Sequence, residues 1–168
     1  MRRFVHLVAA IVLAALPAAA AAAELPARKS GLWEITTTHD GALPGPPLQT
    51  CVDARTDDLS RQLTAGAVTC AKQDLRREGE RYVAESVCLV GEATAITRTV
   101  FTGSFDDAYQ AEIHARYAPP LLGVSEARAT VQARRLGACP AGQRPGDMTL
   151  PNGTTINLFD ARDSAPKR

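Results

Sequence analysis

The sequence predicts an all-β protein: a mainly antiparallel meander, bent into a curved sheet or a half or full barrel, with one short α-helix and an N-terminal signal peptide. Three observations predict it. Long stretches alternate apolar and polar residues with period two, the repeat of a strand that has one buried and one wet face. Glycine- and proline-rich punctuation separates them. Gly79 stands midway between Cys70 and Cys88, so a hairpin turning at that glycine brings two cysteines face to face.

Arg2 and Arg3, the apolar run 4–16, and Ala21-Ala22-Ala23 before Glu24 have the charge, length and small-residue spacing of a cleavable export signal over residues 1–23. That run is short for a span of roughly 20 residues, and no later stretch is long enough. The mature chain is therefore expected to be soluble, with no stable membrane insertion. Residues 24–159 read as a single disulfide-stapled β domain and residues 160–168 as a disordered tail.

Residues 24–30 read as a loosely ordered polar leader. Residues 31–39 make the first strand, with Trp33, Ile35 and Thr37 on one face and Leu32, Glu34 and Thr36 on the other. Prolines and glycines break residues 40–47 into a loop, and residues 48–52 form a second strand carrying Cys51. Thr56 as N-cap, Asp57 and Asp58 in the first turn, and Leu59 and Leu63 four apart predict a helix of about two turns within 54–64. It is the one helix expected in the mature chain.

Residues 68–90 are the centre of the predicted fold. With Glu78-Gly79-Glu80 as a three-residue loop, Arg77 faces Arg81, Leu75 faces Val83, Ala71 faces Val87, Cys70 faces Cys88 and Val68 faces Val90. Residues 93–102 follow as a strand with Ala95, Thr97, Thr99 and Phe101 on one face. After a turn at 103–107, residues 108–117 alternate cleanly, with Tyr109, Ala111, Ile113, Ala115 and Tyr117 on the apolar side. Residues 118–123 read as a connection with Leu121 and Leu122 at a rim. Residues 124–136 form a further strand with Ala127, Ala129, Val131 and Ala133 on one face. Residues 148–150 and 154–158 read as a small terminal hairpin around Pro151-Asn152-Gly153.

Composition narrows the function. Basic and acidic residues nearly balance, at 19 and 18, and Arg76-Arg77 and Arg134-Arg135 read as solvated strand faces. No nucleic-acid partner is expected from this charge pattern. All four cysteines follow the export signal, and an even count in an oxidising compartment reads as two disulfides. The hairpin register favours Cys70–Cys88 and leaves Cys51–Cys139 by elimination. Without a Cys-x-x-Cys, and with His39 and His114 far from any cysteine in sequence, no metal or other cofactor is expected. Neither Gly-x-Ser-x-Gly nor His-Glu-x-x-His nor a phosphate loop occurs, and Ser60, Ser86, Ser104 and Ser125 have no evident partner. A hydrolase therefore ranks last, and no catalytic residue is assigned.

Lys29-Ser-Gly-Leu-Trp-Glu34, Gln49-Thr-Cys51, Gly137-Ala-Cys-Pro140, Pro145-Gly-Asp-Met148 and Pro151-Asn-Gly153 together resemble the signature of exported bacterial proteins grouped as domain-of-unknown-function family 3617, whose usual opening is Lys-Pro-Gly-Leu-Trp-Glu. Ser30 departs from the usual proline. The resemblance implies a periplasmic or secreted β-rich protein and carries over no activity.

Two readings of function remain in front. In the first, the domain is a non-enzymatic periplasmic protein that binds a small apolar ligand or an envelope component, with Trp33, Ile35, Phe101, Ile113 and Tyr117 as the candidate pocket lining. Rows of small inward-pointing alanines and threonines on successive strands are what favour it, because they leave room that large side chains would fill. Against it stands a narrow packed core with no cavity, and Trp33, alternating with Ile35, reads first as a core residue. In the second, the domain is a structural or interaction protein of the envelope, acting through the Leu121-Leu122 rim or a sheet edge.

Overall fold

A computed structural model describes residues 24–53, 57 and 69–163, the last three by backbone alone. The predicted signal peptide, all of the predicted helix within 54–64 except Asp57, and residues 164–168 lie outside these.

The described residues make one antiparallel sheet of nine strands. They are β1 (Gly31–His39), β2 (Leu48–Val52), β3 (Thr69–Glu78), β4 (Arg81–Val90), β5 (Ala93–Ser104), β6 (Ala108–Leu121), β7 (Val124–Gly137), β8 (Asp147–Thr149) and β9 (Thr155–Asn157). A helix, α1 (Leu158–Asp163), follows. The sheet order is β3-β4-β5-β6-β7-β1-β2-β8-β9. Five consecutive strands form a meander, and the chain's first strand then pairs with the last of them. The two ends of the order, β3 and β9, do not pair, so the curved sheet stays open.

The central hairpin brings Cys70 opposite Cys88 by a different route from the one expected. Its turn has two residues, Gly79-Glu80, with Glu78 opposite Arg81. Gly79 sits at φ 65°, which a side chain would resist. Arg76 therefore faces Val83, and Leu75 faces Ala84 rather than Val83. A bulge at Ala71 takes up one residue and restores the cysteine pair; Lys72, not Ala71, faces Val87. One consequence is that Val83 lies on the face opposite Leu75. It is fully buried there, in register between Arg76 and Val100.

Three further expectations are corrected. The connection at 118–123 is mostly strand: β6 runs to Leu121, and the turn is Leu122-Gly123. Pro119 and Pro120 are tolerated because the β6–β7 register jumps between Arg116 and Leu121, so no ladder bond needs their missing N–H. The leader is anchored. Lys29 N–H donates to the Phe105 carbonyl (2.8 Å), Trp33 Nε1 donates to the Lys29 carbonyl (2.8 Å), and Leu25 packs on the core. Finally, the terminal hairpin ends at Asn157, and residues 158–163 are helical. The Asn157 side chain caps them, accepting from the backbone N–H of Phe159 (3.0 Å) and Asp160 (3.3 Å).

The core lies at one end of one sheet face. It comprises Trp33, Val52, Phe101, Phe105, Tyr109, Ala111 and Ala133. Trp33 on β1 reaches Tyr109 on β6, with ring centroids 5.9 Å apart, over the small Ala133 of the intervening β7. Phe105 stacks on Tyr109 at 4.9 Å and meets Tyr82 edge-on at 6.0 Å. Both expected disulfides are present, Cys51–Cys139 and Cys70–Cys88. The first spans β1 at Leu32, which is paired with Cys51 on one side and Gly137 on the other. Here Gly31 is obligatory: at φ 142° a Cβ would come within 2.1 Å of the Gly137 carbonyl oxygen.

Candidate functional site

Strand register lays the apolar face out in rows. The row nearest the aromatic core is Thr37, Val131, Ala111, Phe101 and Tyr82. The next is Ala129, Ile113, Thr99 and Ala84, and the one after it Ala127, Ala115, Thr97 and Ser86. Tyr117, Ala95 and Cys88 close the series. Between the Phe101–Tyr82 row and the Tyr117–Cys88 row lie two rows on four strands with nothing larger than Ile113. We describe this as a trough with a floor of alanine, threonine and serine. At ordinary strand spacing it is roughly 14 Å across the four strands. Most floor residues are half-buried; Thr99 and Ala115 are buried. His39 stands at the β1 margin, opposite Ala129.

The five candidate residues all lie on this face, at different stations. Trp33 and Phe101 are solvent-inaccessible and form the plug at one end. Ile35 packs against that plug. Ile113 is on the trough floor and Tyr117 at its far end, both half-buried. The Tyr109 phenol is buried with the plug, and burial pushes its pKa up.

Sequence reasoning missed the residue that fastens the plug. Arg28 is 1% exposed, and its guanidinium carbon lies 5.8 Å from the Trp33 ring centroid. Its side chain donates to both carboxylate oxygens of Asp57, with Nη2 to Oδ1 at 2.6 Å and Nε at 3.1 Å, and its backbone N–H donates to Oδ2 at 2.7 Å. The Asp57 carboxylate, expected as a helix-start residue, is spent on this pair. Period and propensity carry no trace of a partner 29 positions away. An arginine just before an anchored tryptophan was the available signal.

The opposite face is polar. A shallow groove of about 420 Å³ crosses β1, β7, β6 and β5 there, lined by Glu34, Thr36, Thr102, Gln110, Gln132 and Arg134 among others. Arg134 Nη2 donates to Glu34 at 2.7 Å. Further along, Arg76 donates to Asp74, Glu78 and Glu85, and its hydrogen bonds hold the Glu78 and Glu85 carboxyls below their usual range. His114 is also on this face, paired with Glu126 across the strands. Among the described residues no cluster of three His, Cys, Asp or Glu is placed to hold a metal ion.

A family model described as "Protein of unknown function (DUF3617)" matches residues 28–139. The chain belongs to this family. The DUF3617 match starts at Arg28, takes in Trp33, the trough and all four cysteines, and stops at Cys139, so β8, β9 and α1 lie outside it. No curated protein and no solved structure matches the chain.

Proposed function

We propose that this DUF3617 domain is a non-enzymatic, exported binding protein that holds a small apolar ligand in the trough. The supporting observation is the pair of small-residue rows walled by Phe101 and Tyr82 at one end and by Tyr117 and the Cys70–Cys88 bridge at the other. A floor of methyl groups gains about 25 cal/mol for each Å² of apolar area that a ligand covers. The hydroxyls of Thr97, Thr99 and Ser86, with the Tyr117 phenol, offer a few polar contacts within an apolar lining, the usual make-up of a small-molecule site. The inner rows carry alanines and hydroxyls instead of paired acids and bases, which favours binding over catalysis. Two disulfides favour the periplasm or the exterior as the working compartment.

Titration of the oxidised protein with a fluorescent fatty acid tests this. Saturable binding at one site is expected, and Ala129→Phe, which fills the floor beside Ile113 while suiting a strand, is expected to abolish it with the thermal midpoint retained. Equal binding by the variant, or no saturable binding by the native protein, contradicts the proposal.

A further inference from the structure

The two ends of the sheet differ in chemistry. At one end the hairpin turns carry Glu78, Glu80, Arg81, Asp106 and Asp107. At the other, the β6–β7 hairpin projects past both neighbours: Ala118 is the last β6 residue paired with β5, and Ala129 the last β7 residue paired with β1. Its tip, residues 117–125, contains no charged residue. Leu122 at that tip is 97% exposed and sits at φ 49°. Both facts cost stability. Glycine or asparagine would relieve the left-handed backbone, and any polar residue would relieve the exposed apolar surface. Val124 beside it is also exposed. The β1–β2 loop leaves from the same end, since His39 is opposite Ala129, and it carries Leu43, 90% exposed, in a second uncharged run, residues 41–52.

We propose that this end of the molecule docks peripherally on a lipid bilayer, with Leu122 and Leu43 entering the interface. Two convex tips offer nothing near the roughly 800 Å² per partner of a standard protein interface. They also lack the charged groups that would orient a protein partner, whereas a fluid bilayer closes around convex apolar tips. Among the described residues, the charged groups at this end are set back from the tips. Asp40 is at the loop base, where it accepts from Arg128 N–H at 2.9 Å; Glu92 is in the neighbouring β4–β5 turn; Arg116, His114, Glu126 and Arg128 are on the strands behind. Arg116 and Arg128 stand well behind the tips, five residues before Leu121 and four after Val124 along their strands. The acidic hairpins at the far end point away from such a surface. Docking requires no occupied trough, so it stands or falls apart from the ligand reading.

Flotation of the oxidised protein with vesicles of phosphatidylethanolamine and phosphatidylglycerol tests the proposal. Native protein is expected to float with the vesicles. Leu122→Asn, which the left-handed turn accepts, and Leu43→Ser are each expected to weaken partitioning by about tenfold or more, the order set by one leucine side chain. Their urea midpoints are expected to equal or exceed that of the native protein. Native protein that stays unbound, or variants that float equally well, would overturn it. So would leucine-dependent capture by lipid-free envelope proteins without vesicle binding.

Discussion

Arg28 shows how much a single side chain can decide. Its guanidinium and the Asp57 carboxylate are both fully withdrawn from solvent. Removing either strands the other's charge in the interior, which is far costlier than losing a surface ion pair. Arg28→Ala is accordingly expected to lower unfolding free energy by about 3 kcal/mol or more in urea titration, against near-neutrality for Arg98→Ala, whose partner Glu85 is reached at the surface. An equal effect at both positions would refute the assignment. Alternation did place Trp33 on the apolar face. It could not show that the indole N–H finds its acceptor in the Lys29 carbonyl, because that bond depends on where the chain enters the strand. The cap of α1 was there to be read: Asn157 is a good N-cap and Asp160 an acid in the first turn. The β-branched run Thr154-Thr155-Ile156 before it argued for strand more strongly and obscured it.

At the scale of elements, the central hairpin is the instructive case. Its cysteine pairing followed from symmetry about Gly79, but the turn is one residue tighter than that symmetry implied, and a bulge compensates. A bulge is invisible to a period-two count, since it merely reverses the face of every residue on one side of it. That is why Cys70–Cys88 was legible while Leu75 was set opposite Val83 instead of Ala84. A closed loop spanning 18 positions is worth about 3 kcal/mol in the chain-entropy model. The double variant Cys70→Ala/Cys88→Ala is expected to lose about that much in urea titration and to loosen β3, an edge strand with a single neighbour. Hydrogen exchange reads the second effect: faster exchange in β3, with β6 unchanged, is expected. The limits of β1 and β2 were legible because proline- and glycine-rich loops frame them. The far end of β6 was not, because Pro119 and Pro120 ordinarily end a strand, and only the register jump beside them removes the conflict.

For the whole molecule, an open antiparallel sheet with aromatic packing at one end of its apolar face accounts for both the core and the trough. The alternating stretches made the sheet class and the shared faces legible. The order of strands was not, since β1 pairs with β7, the last strand of the meander, across a separation of about 100 positions that no local pattern records. Of the five candidate residues, Ile113 and Tyr117 belong to the trough, Trp33 and Phe101 to the plug, and Ile35 packs beside it. Small side chains were the legible sign of space; which end the aromatics fill depends on register, and the sequence does not carry it openly. The central claim is that the trough holds a ligand. Native mass spectrometry of the oxidised protein, purified without added lipid, tests it most directly. A lipid-sized adduct that organic extraction removes is the predicted result; a bare monomer mass, unchanged by extraction, would contradict it.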